Sequence, residues 1–289
     1  MSQPEAVSLI ERAIWFKYNT NYPIYSQKSL ANLFYENSTR TRVSFELAAK
    51  HLGLHVINLD VQRSSETKGE IIGDTIKTLA AMGVNLAVIR HGENGLPQQI
   101  AEQAPTGFHL INAGDGTATH PTQAMLDFMT ILEQKPRFPD LKIAIVGNLK
   151  HSRVAHSLQA MCQLFQIREL KLVAPEPWFL TTPGYGQMTT SLQQGLEDAD
   201  VVVTLRVQQE RFQAADHLDL TTYRQQYALT QATLKWVKPD AIIMHPGPMN
   251  RGVEIDSDVA DGAQSSILEQ VKNGVFMRMA IIEHLLLQS

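Results

Sequence analysis

Cysteine is nearly absent from this chain of 289 residues; the only one is Cys162. One thiol rules out a disulfide framework within the chain. It sits in the apolar stretch Leu158–Phe165 with no histidine at a suggestive local spacing, so it reads as a buried side chain rather than a nucleophile. Positive charge is not in excess either. There are 25 Lys and Arg against 29 Asp and Glu, a net charge of −4, which excludes the basic field that nucleic acid or an anionic membrane would require. No apolar run approaches the length of a membrane span, and the start Met1-Ser2-Gln3-Pro4-Glu5 lacks a signal-peptide pattern. Internal repeats and low-complexity tracts are missing as well. The composition, 44% hydrophobic and 19% charged, predicts a soluble, cytoplasmic protein with one large or two medium cores.

What is present is a rhythm. After an amphipathic helix over 5–18, strand-length apolar runs fall at 30–35, 55–60, 85–90, 108–113, 142–147, 169–174, 200–205 and 240–245. Helical periodicity fills the intervals near 38–52, 70–82, 96–103, 120–133, 152–165 and 189–197. Alternation of this kind, with nearly continuous hydrophobic strands, predicts an α/β fold of mostly parallel sheets covered by helices. Two prolines and three charges in Gln134–Asp140 mark the best boundary between two βα series. Ligands in such folds bind at the carboxyl ends of the strands, and nearly every polar cluster of the chain sits at one.

The first of these is Glu36-Asn37-Ser38-Thr39-Arg40-Thr41-Arg42, where a strand gives way to a helix. Ser38 is a candidate N-cap, and the first-turn N–H groups with their partial positive charge favour an anion, phosphate above all. Hydroxyls on Ser38, Thr39 and Thr41 add donors, and Arg40 adds a guanidinium fork. Taken alone, the segment also fits an ordinary capped helix with a basic first turn. With its flanks, Phe34 to Glu46, it resembles the carbamoyl-phosphate loop of the aspartate and ornithine carbamoyltransferases.

That resemblance extends along most of the chain, from about Leu30 onward. Ser64-Ser65-Glu66-Thr67-Lys68-Gly69-Glu70 is similar to the family's S-S-x-x-K-G-E loop. Its serine and lysine enter a neighbouring subunit's site, so the likeness implies that Ser64 and Lys68 act in trans within a homotrimer. Arg90, at the end of Val88-Ile89-Arg90-His91, is implied to donate to phosphate and to the carbamoyl oxygen. Gly114 to Gln123 carries the H-P-x-Q motif, which makes His120 a carbonyl-polarising donor and Gln123 the holder of the carbamoyl nitrogen. Gly147 follows a strand, but no G-x-G-x-x-G is present, so a dinucleotide site is rejected. The family pattern there assigns Arg153 to a carboxylate of the second substrate. In Arg206-Val207-Gln208-Gln209-Glu210-Arg211, Arg206 is implied to grip the distal carboxylate with Gln208 beside it; in isolation these residues would serve as a charged helix cap. Finally, His245-Pro246-Gly247-Pro248 offers the carbonyls of Pro246 and Gly247 as acceptors, with a cis bond expected before Pro248.

The resemblance implies two domains, a carbamoyl-phosphate-binding domain over 1–134 and an aspartate-binding domain over 135–274, with a terminal helix over 275–289 returning to the first. It implies a cofactor-free transfer needing no metal. The substrates it implies are carbamoyl phosphate and L-aspartate, because His120-Pro121-Thr122-Gln123, His245-Pro246-Gly247-Pro248 and Arg206-Val207-Gln208 resemble the aspartate-type motifs. The substrates bring a phosphate dianion and two carboxylates, and Arg40, Lys68, Arg90, Arg153 and Arg206 supply five cations in an acidic protein. Regulatory or dihydroorotase-like partner chains are compatible with the family; nucleic acid and membrane are not expected partners. Two other readings remain: transfer to another amino acid such as ornithine, and a catalytically silent relative serving as an assembly subunit. Asn37, where many relatives have proline, and a short N-terminal segment are the departures from the pattern.

Overall fold

The computed structural model describes residues 1–61, 69–180, 184–209 and 218–288. By its internal contacts the chain divides into two units, Met1–Met129 with Val271–Ser289, and Thr130–Gln270. The line of division thus passes through two helices, Pro121–Gln134 and Ile267–Leu286.

The first unit begins with helix α1 (Gln3–Tyr18), started by a capping box in which Ser2 and Glu5 bond each other's backbone N–H. Its sheet has four parallel strands, β1 (Ser29–Phe34), β2 (His55–Leu59), β3 (Leu86–His91) and β4 (His109–Asp115), in the order β2-β1-β3-β4. Helices α2 (Thr39–His51), α3 (Ile72–Ala81), α4 (Leu96–Gln103) and α5 (Pro121–Gln134) connect or follow them. Alternate residues of the central strands, Ala31, Leu33, Ala87 and Ile89, join Ile76, Leu79 and Ile100 of α3 and α4 in one core cluster. The other set, Leu30, Leu86 and Val88, is buried as well, so these strands read as continuous apolar runs because both faces are covered.

In the second unit five parallel strands lie in the order β7-β6-β5-β8-β9. They are β5 (Lys142–Val146), β6 (Glu169–Val173), β7 (Gln187–Thr189), β8 (Val201–Thr204) and β9 (Ile242–Met244). Helices α6 (Arg153–Leu164), α7 (Leu192–Leu196), α8 (Leu220–Tyr227) and α9 (Ser257–Ala260) accompany them, and α10 (Ile267–Leu286) ends the chain. Two expectations change. The helix read near 189–197 is present as the shorter α7, but an edge strand that was not expected, β7, precedes it; Thr189 pairs with Val173, and Ser191 caps the helix only afterwards. The terminal helix starts at Ile267, eight residues ahead of the expected 275, because Gln270 and Asn273 are polar yet buried and break the apolar period. Its later part belongs to the first unit, where Glu283 receives a two-pronged pair from Arg12 at 2.6 and 2.8 Å.

Candidate active site

In each sheet the strand order reverses once. In the first, chain direction switches between β1 and β3; in the second, between β5 and β8. At such points adjacent strand-end loops part in opposite directions and leave a crevice at their carboxyl ends. Ser38 follows β1 and Arg90 lies at the end of β3 at the first, Arg153 and Arg206 follow the strands at the second, while His120 and Gln123 follow β4 and Pro246 and Gly247 follow β9.

At the first crevice, Ser38 is the N-cap of α2 with extended backbone (φ −161°, ψ 96°), and its hydroxyl does not bond the helix. No acidic residue occupies the first turn of α2, and Thr39, Arg40 and Arg42 are exposed there while Thr41 is buried. A helix that leaves its positive end without a side-chain cap or an acid remains able to receive an anion. The next strand holds Arg90, whose register partner is Phe34 of β1. Its Nε lies 3.3 Å from a Glu36 carboxylate oxygen, and one terminal nitrogen donates to the Ala113 carbonyl at 3.4 Å. Thus a single guanidinium spans the ends of β1, β3 and β4.

His120 arrives by a tightly tied turn. Gly116 N–H donates to the His91 carbonyl at 2.8 Å, Asp115 N–H to Thr119 at 2.9 Å, and the Asp115 carboxylate accepts from Gly95 N–H at 2.8 Å. Gly116 has φ +45°, and an added Cβ would stand 1.8 Å from the Asn94 amide oxygen, so no larger residue fits. Pro121 then opens α5, where its missing N–H is no loss. His120 is buried, and Gln123, one turn on, is buried too. The Gln123 amide nitrogen donates to Asp127 at 2.9 Å. A carboxylate accepts only, so the amide oxygen of Gln123 is turned the other way and is available to a donor such as a carbamoyl NH₂. Asp127 has no exposure and is attracted by Arg278 of α10, itself buried, with its guanidinium 4.9 Å from the Phe45 ring centre. Burial pushes the Arg278 pKa down to about 10, against the pull of Asp127, so it remains charged at neutral pH.

At the second crevice, β5 runs into Gly147 with φ +127°, where a Cβ would come within 3.0 Å of the Leu205 carbonyl. This close approach packs the two central strand ends together. Ser152 caps α6 through Ala155 N–H at 3.2 Å, and Arg153, its first helical residue, is buried. Arg206 and Gln208 follow β8, both partly buried. Pro246 and Gly247 follow β9, and the Gly247–Pro248 bond is cis. The described candidates therefore form two sets, Ser38, Thr39, Arg40, Thr41, Arg90, His120 and Gln123 in one unit, and Arg153, Arg206, Gln208, Pro246 and Gly247 in the other. Ser64 and Lys68, with Glu210 and Arg211, lie outside the described residues. Sequence reasoning missed Glu36, Asp127, Glu254 and Arg278, which support these residues. A buried acid one helical turn after Gln123 was the only legible signal among them.

Comparison with known proteins gives matches along nearly the whole chain. A model of the carbamoyl-phosphate-binding domain of aspartate/ornithine carbamoyltransferases matches residues 1–133, and a model of that family's Asp/Orn binding domain matches residues 139–285. The chain belongs to the aspartate/ornithine carbamoyltransferase family. Within it, the aspartate carbamoyltransferase catalytic subunit of Legionella pneumophila (strain Corby) is 58% identical over 286 residues, 99% of this chain and 96% of its own. That of Coxiella burnetii (strain RSA 493 / Nine Mile phase I) is 47% identical, over 97% and 92%. Among solved structures, the catalytic subunit of M. jannaschii aspartate transcarbamoylase superposes with a TM-score of 0.86 at 34% identity, covering 100% of this chain and 96% of that one. Trypanosoma cruzi aspartate transcarbamoylase in complex with carbamoyl phosphate and aspartate gives 0.84 at 28%, covering 98% and 93%.

Proposed function

We propose that the two sets of strand-end residues serve one reaction, transfer of the carbamoyl group of carbamoyl phosphate to the α-amine of L-aspartate. The products are N-carbamoyl-L-aspartate and phosphate, the committed step of pyrimidine synthesis. The observation that carries this reading is the spacing of cationic forks at the two crevices, Arg40 and Arg90 at one, Arg153 and Arg206 at the other. One pair suits a phosphate and the other an acceptor with two carboxylates.

In this reading residues 1–134 form the carbamoyl-phosphate-binding domain and 135–274 the aspartate-binding domain. The open start of α2, with Ser38, Thr39, Arg40 and Thr41, holds the phosphate together with Arg90. Ser64 and Lys68 come from an adjoining subunit, Ser64 to bind carbamoyl phosphate and Lys68 to bind aspartate and act in catalysis. Thr41, Arg90 and His120 donate to the carbamoyl oxygen, Gln123 and the carbonyls of Pro246 and Gly247 accept from its NH₂ and from the amine, and Arg153, Arg206 and Gln208 bind aspartate. The uncharged α-amine attacks the carbamoyl carbon, a tetrahedral oxyanion forms, the bond to the phosphate oxygen breaks, and phosphate leaves with the amine proton. Each oxyanion donor contributes about 3–4 kcal/mol, and alignment of the reactants contributes roughly 7 kcal/mol more.

The same reading makes the active unit a homotrimer. Among the described residues β2 is an edge strand that exposes His55, Ile57 and Asn58, and α2 beside it exposes Val43 and Leu47. An open edge with apolar neighbours favours cover by another copy. Further regulatory or dihydroorotase-like chains fit the term catalytic subunit borne by the bacterial relatives. We assign the protein to the cytoplasm; its single thiol is buried, and no described helix is long and apolar enough to cross a membrane.

The test is phosphate release from carbamoyl phosphate by the purified chain with L-aspartate and, in parallel, with L-ornithine. Release with aspartate alone is expected. Release with ornithine alone, or with neither, would overturn the reading.

A further inference from the structure

Beneath the turn after β9 lies an imidazole–carboxylate pair that has no part in the reaction as written above. His245 is 2% exposed and Glu254 is fully buried, with Nε2 of one 3.3 Å from Oε1 of the other. The backbone N–H of Gly247 donates to His245 Nδ1 at 2.8 Å. A peptide N–H can only donate, so Nδ1 carries no hydrogen, and Nε2 bears it and turns it toward Glu254. The same Oε1 accepts from Asn250 N–H at 2.5 Å. One carboxylate oxygen therefore fixes the imidazole at the start of the turn and the backbone at its end. Asn250 in turn donates through its side chain to the Val207 carbonyl at 3.2 Å, between Arg206 and Gln208. His245 N–H is held by Gln270 at 2.9 Å, so the imidazole has a rigid base.

The consequence follows from peptide geometry. Across a trans peptide the N–H and the preceding C=O point in opposite directions. Capture of the Gly247 N–H by the buried imidazole thus forces the Pro246 carbonyl away from the core. A carboxylate with no exposure is costly to bury, and a well-packed apolar pair would hold a turn at least as firmly. An apolar pair, however, would leave the direction of that peptide plane unset. We propose that His245, held in one tautomer by Glu254, is a positioning residue that aims the Pro246 carbonyl at the substrate nitrogens. This rests on the reading of that carbonyl as an acceptor given under Proposed function.

The experiment uses the full-length protein in its native assembly and measures kcat, both KM values and the thermal midpoint. His245→Leu fills the space with neither contact. His245→Asn places an amide oxygen close to where Nδ1 stands, so it keeps the bond from Gly247 and gives up the one to Glu254. His245→Gln reaches Glu254 and gives up Gly247. A misdirected acceptor lowers kcat by about tenfold to a hundredfold, while the KM for carbamoyl phosphate stays within about threefold. His245→Asn is expected to recover most of that loss, and His245→Gln little, at similar thermal midpoints. Asn and Gln variants of equal kcat, or a Leu variant with wild-type kcat, would overturn the proposal. Should the Leu variant not fold, the Asn–Gln comparison decides alone. Wild-type protein that fails to carbamoylate aspartate would instead refute the underlying reading, before any variant is compared.

Discussion

A side chain in this fold is defined by which polar atom its neighbours leave to the substrate. Gln123 shows this directly, since Asp127 takes its amide nitrogen and leaves its oxygen. Arg206 stands just beyond a fully buried strand, where a guanidinium is placed without the flexibility of a loop tip. Arg206→Ala should therefore raise the KM for aspartate steeply, with carbamoyl-phosphate affinity measured by calorimetry little changed; equal losses of both would remove it from its assigned role. His120 sits in a turn fixed by three backbone or carboxylate contacts. Its replacement by alanine should lower kcat by about 10²-fold, as for loss of one oxyanion donor, with substrate binding largely kept, and steady-state kinetics would expose an innocent histidine by an unchanged kcat. Cys162 is the contrasting case. Burial drives its thiol pKa well above the usual range, and only thiolate reacts, so a thiol reagent should label it after denaturation and leave the native protein unmodified. Rapid labelling of the folded protein would contradict the burial.

Elements differ in how far local sequence specifies them. The strands of both sheets and helices α2 to α6 were legible because each is either a continuous apolar run or a clean amphipathic period. The short β7 was not, since a three-residue edge strand is made by its pairing with β6 and has no pattern of its own. The start of α10 was obscured for a different reason, burial of polar Gln270 and Asn273. That helix carries Arg278, whose buried charge attracts Asp127. Arg278→Met keeps the volume but removes a charge that attracts Asp127 and the donor to the Gly274 carbonyl, which should cost about 1–3 kcal/mol. Urea unfolding would measure it, and a variant as stable as wild type would show that the Arg278 charge and its bond to Gly274 do not hold this core.

For the molecule as a whole, the central question is whether each site is complete within one chain. If Ser64 and Lys68 reach an adjoining copy, a trimer mixed from Lys68→Ala and Arg40→Ala chains contains sites free of both substitutions. Activity should then recover to a measurable fraction of wild type after subunit exchange, although each parent is nearly inactive. Absence of recovery in verified mixed oligomers would mean that sites are not shared.

The amino-acid sequence by itself determined the parallel α/β class, the order of the elements and the residue types at each strand end, because apolar period and turn chemistry are local properties. The family followed from Ser38–Arg42, His120–Gln123 and His245–Pro248 for the same reason. Only the tertiary structure decided the strand order, and with it that the end of β3 carrying Arg90 lies beside the end of β1 leading to Ser38, and the end of β8 leading to Arg206 beside the end of β5 leading to Arg153. It alone also decided that Glu254 anchors His245 and that the Arg278 charge acts on Asp127. Those pairings join residues far apart along the chain or turned inward by a fold-specific bend, and no local pattern encodes a contact that exists only after the backbone has closed around it.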